Sequence, residues 1–280
     1  MASPLSTSPP DIPRTVLISF CTPHVLLVTL NRPEQLNALP RQVHLDLAQL
    51  WDWYDTEPYL RCAVITGNGR AFCAGADLKE WHEKNNGGVA TDEVNGKSWV
   101  EKGFGGFSNR RGKKPIISAV NGHYFGGGFE MVLNSDCVIA NETAKFGLPE
   151  VTLGIVAIAG ALPRLIRIIG RQRASEMVLL GGTYTAQQLC DLGIVNKVIP
   201  ETEVLDEALR WAAKIADKSP DSIIVSRAGL LGGWGGEDPE TNTWRVRQGI
   251  YKDLESGDNM KEGVLSFVEK RRAVWKASKM

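Results

Sequence analysis

The stretch AVNGHYFGGGFEMVLNSDC, which runs from Ala119 to Cys137, places three consecutive glycines just before a carboxylate. The glycines are Gly126 to Gly128, the carboxylate belongs to Glu130, and the residues from Phe129 to Leu133 resemble a largely apolar helix. Glycine is a poor helix former, and an acid at the start of such a helix is not needed for packing. The stretch therefore predicts a helix start with exposed backbone N–H groups. It does not by itself indicate why a carboxylate, that of Glu130, is placed there.

Composition sets the broad class of the protein. The 280 residues are 43% hydrophobic and 23% charged, which is typical of a globular protein with a large core in one or two domains. The formal net charge is zero, so bulk electrostatics favour neither nucleic acid nor an anionic membrane as a partner. The longest uncharged run, from Thr15 to Asn31, contains Pro23 and predicts two strands joined by a turn rather than a membrane span.

The cysteines and histidines are dispersed along the chain. There are five cysteines and four histidines, and no C-x-x-C pair occurs. This pattern favours buried or free thiols in a reducing compartment over disulfides. We also expect no metal site, because no ligand spacing is present.

The chain divides into three parts by its patterns. Residues 1–14 are rich in Pro and Ser, which predicts a disordered tail without a signal peptide. Residues 15–200 alternate strand-like and helix-like segments, which predicts an α/β core. Residues 201–280 predict a helical region. Its helices are expected at 203–217, 220–231, 239–255 and 259–276, with a loop at 232–236.

A polar, glycine-dotted segment interrupts the core at residues 84–114. Long excursions of this kind in compact domains are often functional. The segment therefore predicts either a partly helical lid or a tolerated surface insertion, and its composition does not separate the two.

Three short stretches have the residue types that chemistry needs. They are GNGRAFCAGADLKEW from Gly67 to Trp81, the glycine run before Glu130, and the FGLPE sequence that ends at Glu150. The first two predict helix starts, whose N–H groups are unpaired and approachable because the flanking residues are small. Two such donors aimed at one point form an oxyanion hole, and two nearby glutamates can divide the acid and base roles.

Each stretch alone has an ordinary structural explanation. A glycine-rich turn is often tight packing, and a glutamate at a helix start is often a capping acid. The sequence lacks the G-x-G-x-x-G, G-x-S-x-G and phosphate-loop patterns. The combination of two donors and two carboxylates, without a nucleophile, metal or cofactor motif, favours enolate chemistry on a thioester.

Four segments of the chain resemble the enoyl-CoA hydratase/isomerase (crotonase) superfamily. The resemblance covers about residues 15–275, and a chance match to all four segments in order is very improbable. The segments are LNRPEQLNAL (Leu30–Leu39), AVITGNGRAFCAGADLKEW (Ala63–Trp81), KPIISAVNGHYFGGGFEMVLNSDCVIA (Lys114–Ala140) and KFGLPEVTLGI (Lys145–Ile155).

The resemblance implies a fold and a set of site residues. The expected fold is α/β, a spiral of ββα units followed by a C-terminal helical oligomerisation region that forms a homotrimer or hexamer. The N–H groups of Ala76 and Gly127 are the implied oxyanion donors. Glu130 is the implied base toward water at Cβ, and Glu150 the implied donor of a proton to Cα. The residues implied in contacts with the acyl-CoA substrate are Leu36, Ala74, Asp77, Leu78, Lys79, Gly126 and Pro149.

The pair of glutamates favours one branch of the superfamily. Isomerases of the family commonly keep only the acid that matches Glu150, so the presence of both favours hydration of a 2-enoyl-CoA, with coenzyme A entering as part of the substrate and no separate cofactor. The alternatives are an isomerase or acyl-CoA hydrolase on the same scaffold, or a catalytically idle binding protein. Ala157 and Ala161 stand where the family usually has proline and glycine, which favours a branched or specialised acyl group.

The last three residues resemble a targeting signal. Ser278, Lys279 and Met280 differ by one conservative change from the S-K-L peroxisomal address. The tripeptide predicts a peroxisomal location, and a cytoplasmic location is the alternative.

Overall fold

The computed structural model describes residues 5–85, 93–94, 97–98 and 101–280. The strands are β1 (Val16–Ser19), β2 (Val25–Leu30), β3 (Cys62–Gly67), β4 (Ala71–Cys73), β5 (Glu93–Val94), β6 (Lys97–Ser98), β7 (Ile116–Val120), β8 (His123–Phe125), β9 (Cys137–Asn141), β10 (Lys145–Gly147), β11 (Thr183–Thr185) and β12 (Lys197–Ile199). The α-helices are α1 (Arg41–Thr56), α2 (Leu78–Asn85), α3 (Gly127–Val132), α4 (Ala161–Ile169), α5 (Arg171–Leu180), α6 (Ala186–Asp191), α7 (Val204–Ala216), α8 (Pro220–Gly235), α9 (Pro239–Gln248), α10 (Ile250–Ser256) and α11 (Asp258–Val268).

Two sheets organise the core. The larger has the order β1-β2-β3-β7-β9-β12 and is parallel except for the β1–β2 hairpin. The smaller has the order β11-β10-β8-β4, in which β4, β8 and β10 are parallel. The predicted α/β class is confirmed. The apolar runs at 16–20, 25–30, 61–66, 115–120 and 136–140, which predict core strands, lie within one residue of the ends of β1, β2, β3, β7 and β9.

The larger sheet is covered on both faces. Successive side chains of a strand point to opposite faces, and in β3 the residues Ala63 and Ile65 pack into a cluster that includes α1. Cys62 and Val64 pack into a second cluster, which includes α7. Burial on both faces explains why β3 is a continuous apolar run rather than an alternating one.

The N-terminal segment makes defined contacts from residue 5 onward. The Ser6 and Thr7 N–H groups donate to the carboxylate of Glu57 at 3.0 and 2.8 Å, and the Trp53 indole donates to the Thr7 hydroxyl at 2.9 Å. These hydrogen bonds tie Ser6 and Thr7 to the core, and the disordered tail predicted for residues 1–14 stays a prediction. A buried carboxylate that needs donors holds this polar segment in place, and composition does not reveal such a partner.

The segment at 84–114 joins the core in its second half. Residues 86–92, 95–96 and 99–100 lie outside the described residues, so the choice between lid and insertion stays open there. Beyond them, a short 3-10 helix at Phe104–Gly106 and the side chain of Phe107 are buried. This half therefore does not match a tolerated surface insertion, because it packs under the site described below.

The C-terminal helices differ from prediction at three places. The expected loop at 232–236 is largely helical, since α8 continues to Gly235. The expected helix at 239–255 is divided by Gly249, which has φ −101 and ψ −116. The last helix ends at Val268, ahead of Lys270, whose φ is 54. Among the described residues, none of the helices has the length and hydropathy that crossing a membrane requires.

Candidate active site

Three turns that carry the predicted site residues follow three adjacent strands. The strands β4, β8 and β10 are parallel neighbours, with Tyr124 paired to both Cys73 and Phe146. The carboxyl ends of parallel strands meet at one edge of a sheet, so the turns after them lie together. The Gly126 N–H donates to the Gly147 carbonyl at 3.1 Å, which ties the second turn to the third.

The Ala76 N–H is an available donor because of the way its segment pairs. The Leu39 N–H donates to the Gly75 carbonyl at 2.9 Å, and the Asp77 N–H donates to the Leu39 carbonyl at 3.1 Å. In this parallel bridge the N–H of the intervening residue, Ala76, points away from its partner. The described part of the chain offers this N–H no acceptor, as an oxyanion donor requires.

The Gly127 N–H is the second predicted donor. Gly127 is the first residue of α3, and the first N–H groups of a helix have no partner within it. The Phe104 ring packs so closely that a Cβ at Gly127 would lie 2.2 Å from it, and a Cβ at Gly75 would lie 3.4 Å from the Gly127 nitrogen. The two donor turns therefore touch, and glycine is what permits this approach.

Glu130 is a buried carboxyl on the first turn of α3. Its side chain is 3% exposed, and its Oε1 accepts a hydrogen bond from the Ala161 N–H at 3.2 Å. Burial raises the pKa of Glu130 to about 7; the hydrogen bond from Ala161 opposes this rise and the charge of Glu150 adds to it. A carboxyl with a pKa near neutrality is suited to both taking and giving a proton.

Glu150 faces the glycine turn from the neighbouring segment. It follows Pro149 in a 3-10 helix at Pro149–Leu153, and a Cβ at Gly126 would lie 3.0 Å from its Oε1. Its Oε2 is buried and has no hydrogen-bond partner within the residues described. Burial raises the pKa of Glu150 above its ordinary value.

The residues expected to contact the acyl-CoA lie beside these groups. The Ala74 N–H donates to the Leu36 carbonyl at 3.0 Å, which brings those two segments together next to Ala76. Leu78 and Lys79 are exposed at the start of α2. Gly126 and Pro149 flank Glu150 as described above.

The Asp77 carboxylate is already engaged within the protein. It pairs with Arg32 at 2.9 Å and accepts a hydrogen bond from the Lys79 N–H at 3.2 Å, as a helix cap does. Burial alone would raise the pKa of Asp77, but the hydrogen bond from Arg32 and those of the cap hold it below the usual range. This geometry indicates that Asp77 shapes the α2 start, and the contact with substrate predicted for it stays a prediction.

Sequence patterns did not reveal the groups that support the site. Phe104 packs against Gly127, and the Ala161 N–H binds Glu130. A cavity of about 50 Å³ beside Ala76 is lined in part by His44, whose pKa is lowered to about 3 by burial. The closely spaced glycines from Gly103 to Gly106 are a sequence signal of tight packing. The sequence does not show what they pack against, because Ala48, the partner of Gly106, lies far away along the chain.

Two buried carboxyls beside two backbone N–H groups without a protein acceptor are the arrangement expected of an enzyme that forms and protonates a thioester enolate. The sequence model of the enoyl-CoA hydratase/isomerase family matches residues 22–278, and the chain belongs to this family. No group of three or more potential metal-ligating side chains occurs in the ranges that the structure covers.

Two named relatives indicate the branch of the family. The chain is 62% identical over 266 residues to a mevalonyl-coenzyme A hydratase of Beauveria bassiana, covering 94% of this chain and 95% of that protein. It is 48% identical to a mevalonyl-coenzyme A hydratase of Aspergillus fumigatus, covering 94% and 96% of the two chains. The protein is accordingly a hydro-lyase that adds water to, or removes it from, an acyl-CoA thioester.

Solved structures agree with this assignment. An enoyl-CoA hydratase from Mycobacterium tuberculosis superposes with a TM-score of 0.83 at 32% identity, covering 94% of this chain and 99% of that one. A probable enoyl-CoA hydratase/isomerase from Mycobacterium abscessus superposes with a TM-score of 0.84 at 37% identity, covering 95% and 100%. The predicted crotonase-like fold with a C-terminal helical region is thereby confirmed.

Proposed function

We propose that the substrate pair is mevalonyl-CoA and its dehydrated 2-enoyl-CoA. A mevalonyl group is a 3-hydroxy-3-methyl acyl chain that ends in a second hydroxyl, so it is both branched and specialised. The names of the two relatives above support this choice. Ala157 and Ala161, which replace the family's usual proline and glycine, are buried in the segment that donates to Glu130, where a changed acyl group would be accommodated.

The reaction follows from the two donors and the two carboxyls. In hydration, the thioester oxygen accepts hydrogen bonds from the N–H groups of Ala76 and Gly127. Glu130 takes a proton from water as its oxygen bonds to Cβ, and the electrons of the double bond pass to the thioester as an enolate. Glu150 gives a proton to Cα, which restores the carbonyl. Dehydration runs the same steps in reverse, with Glu130 protonating the departing hydroxyl.

The observation that carries this mechanism is the burial of both carboxyls at one sheet edge. Burial raises the pKa of Glu130 to about 7 and raises that of Glu150 as well. Burial and mutual repulsion both disfavour ionisation of the two carboxyls together, which favours a pair that holds one proton, and a concerted addition of water requires one carboxylate and one carboxylic acid. The two titrate as a coupled pair.

A substrate panel with matched variants tests the proposal. We expect kcat/KM for mevalonyl-CoA to exceed that for straight-chain 3-hydroxybutyryl-CoA by about 10-fold or more. Glu130→Gln and Glu150→Gln should each lower kcat by about 10²–10⁴-fold, while Glu142→Gln, at an exposed position, should not. Equal rates on both thioesters would overturn the substrate, and full activity in both site variants would overturn the mechanism. Free CoA or a shifted double bond as the product would instead indicate hydrolysis or isomerisation.

We propose that no cofactor is needed beyond the CoA of the substrate. Each step above uses a backbone N–H or a carboxyl of this chain. Dialysis against a metal chelator should leave kcat unchanged, and a loss that added metal restores would contradict the proposal.

We also propose a homotrimer that can pair into a hexamer. Support comes from exposed apolar side chains on the last helices: Leu230 is 74% exposed, Val268 70% and Phe267 85%, more than an isolated surface favours. Light scattering after size-exclusion chromatography should give a mass of three or six chains. Phe267→Asp should reduce it, Lys252→Asp on exposed α10 should not, and a monomeric wild-type protein would overturn the proposal.

We propose a peroxisomal location from the tripeptide Ser278-Lys279-Met280. Lys279 is exposed, as a recognised tripeptide has to be. An N-terminally tagged chain should enter peroxisomes, and removal of the three residues or Lys279→Glu should leave it in the cytoplasm. Cytoplasmic wild-type protein would favour the alternative.

A further inference from the structure

The hydroxyl of Ser108 lies between the two halves of the site. It is fully buried, accepts a hydrogen bond from the Phe104 N–H at 2.7 Å, and donates one to the Ala159 carbonyl at 2.6 Å. A Cβ at Gly103 would lie 2.2 Å from this oxygen. The hydroxyl is therefore tightly enclosed and uses its donor and an acceptor position at the same time.

Each of its partners belongs to a different catalytic element. The ring of Phe104 packs against Gly127, whose N–H is the proposed oxyanion donor. Ala159 lies two residues before Ala161, whose N–H binds the Glu130 carboxyl. One side chain thus joins the support of the oxyanion hole to the segment that holds the base.

A second group of contacts fixes the same segment. The Arg164 guanidinium donates to the Gly160 carbonyl at 2.9 Å and to the side chain of the neighbouring Asn109 at 3.1 Å. Its Nε donates to Asn134, just beyond α3, at 3.1 Å. The segment from Ala159 to Ala161 is therefore held from both sides, and Ser108 provides the contact nearest the Phe104 ring.

We propose that Ser108 is a positioning residue for the hydration reaction, which holds the Ala161 N–H on the Glu130 carboxyl and Phe104 under Gly127. This inference rests on the proposed role of Glu130 as the base. Both hydrogen bonds of Ser108 are made to the backbone, and neither glutamate is among its partners, so its effect is indirect. Its removal leaves an N–H and a carbonyl buried without a partner, and both then shift to find one.

The pH dependence of the reaction should reveal whether the Ala161 N–H moves away from the Glu130 carboxyl. The charged groups that act on its carboxyl are Glu150 from the 3-10 helix and Arg164 from α4. The Ala161 N–H stabilises the ionised form and so opposes the effect of burial. When this donor moves away, the ionised base becomes less stable, and the rising limb of the pH–rate profile for hydration moves to higher pH.

The test compares Ser108→Ala with Ser108→Thr, which keeps the hydroxyl, and with Ser266→Ala. Ser266 is a buried serine on α11 whose hydroxyl also donates to a carbonyl, that of Gly263 at 3.0 Å, and it lies outside the site. We expect Ser108→Ala to lower kcat by about 10-fold or more, with KM within about threefold, since small misplacements of catalytic groups have effects of this size. We also expect its pH limb to move upward. Ser108→Thr should recover much of kcat, and Ser266→Ala should keep the wild-type kcat and pH profile.

A double-variant comparison separates this role from a general loss of stability. In a Glu130→Gln background, Ser108→Ala should lower the residual kcat far less than in the wild type, because residues that act through one another are not additive. If Ser108→Ala yields no folded protein, Ser108→Cys keeps a weak donor and acceptor at this position and weakens both hydrogen bonds. An unmoved pH limb, or an equal loss in the two backgrounds, overturns the inference. Full activity in Glu130→Gln alone would instead overturn the proposed base.

Discussion

The carboxyl of Glu150 lies directly against the backbone of Gly126. A Cβ added at Gly126 would be 3.0 Å from the Glu150 Oε1, and the φ of Gly126 is +54. The bare backbone of the glycine turn therefore makes room for the second carboxyl, and this contact links the turns after β8 and β10.

Gly126→Ala should displace Glu150 and strain the turn. Both the close approach and the left-handed backbone disfavour a side chain here. We expect kcat to fall by about 10-fold or more, since the displacement affects proton delivery to Cα. Gly229→Ala is the matched control, because nothing lies within 4 Å of the added Cβ in α8. Steady-state kinetics on both variants measure the effect, and an unchanged kcat in Gly126→Ala would show that Glu150 need not stay where it lies.

Gly127→Ala should affect the oxyanion hole through Phe104. The added Cβ would lie 2.2 Å from the Phe104 ring, so α3 has to move and carries the donor N–H with it. Loss of one oxyanion donor typically lowers kcat by about 10²–10³-fold, and we expect a loss in this range. Shortening Phe104 to Leu in the same variant should restore part of it. Wild-type kcat in Gly127→Ala would contradict the role of this N–H.

Glu130→Gln should make the fold more stable at alkaline pH. The pKa of Glu130 is raised from 4.5 to about 7, so its contribution to stability is present below the unfolded pKa and is lost as pH rises through the folded one. This difference corresponds to about 3 kcal/mol of unfolding free energy. Thermal melting should show similar Tm values for variant and wild type near pH 4.5 and a higher Tm for the variant near pH 8. A lower Tm for the variant at pH 8 would mean that the ionised carboxyl is better stabilised than its burial indicates.

Replacement of Asp77 should lower the stability of the fold more than it changes KM for the acyl-CoA. Asp77→Ala removes the cap of α2 and the ion pair with Arg32, and we expect about 0.5–2 kcal/mol of lost stability from the cap. Asp77→Asn keeps a capping oxygen and should lose less. Chemical denaturation measures the free energies of unfolding of the wild type and the two variants. KM for the acyl-CoA is the second measurement. A large rise in KM for Asp77→Asn with no loss of stability would instead support the substrate contact predicted from sequence.

Local pattern was sufficient for much of the fold, and it supplied the predicted site residues. The strand ends were predicted within one residue because buried parallel strands such as β3 are continuous apolar runs bounded by glycine. A helix was predicted from Phe129 onward because an apolar run follows the three glycines, and the structure begins it two residues earlier, at Gly127. The C-terminal helices were less well predicted, since the loop expected at 232–236 is helical and Gly249 divides a helix that periodicity alone would continue.

By itself, then, the sequence determined the α/β class, because the apolar runs that define it are made of residues close together along the chain, and it predicted the two N–H donors and the two glutamates. The Ala76 N–H is left without an acceptor by the bridge to Leu39, which lies far from it in sequence. Tertiary structure decided how these groups work together. The Ala161 N–H reaches Glu130 from 31 residues away, and the hydroxyl of Ser108 reaches Ala159 from 51 residues away. The raised pKa of Glu130 results from burial among these distant segments, and burial is a property of the packed chain that local spacing does not encode.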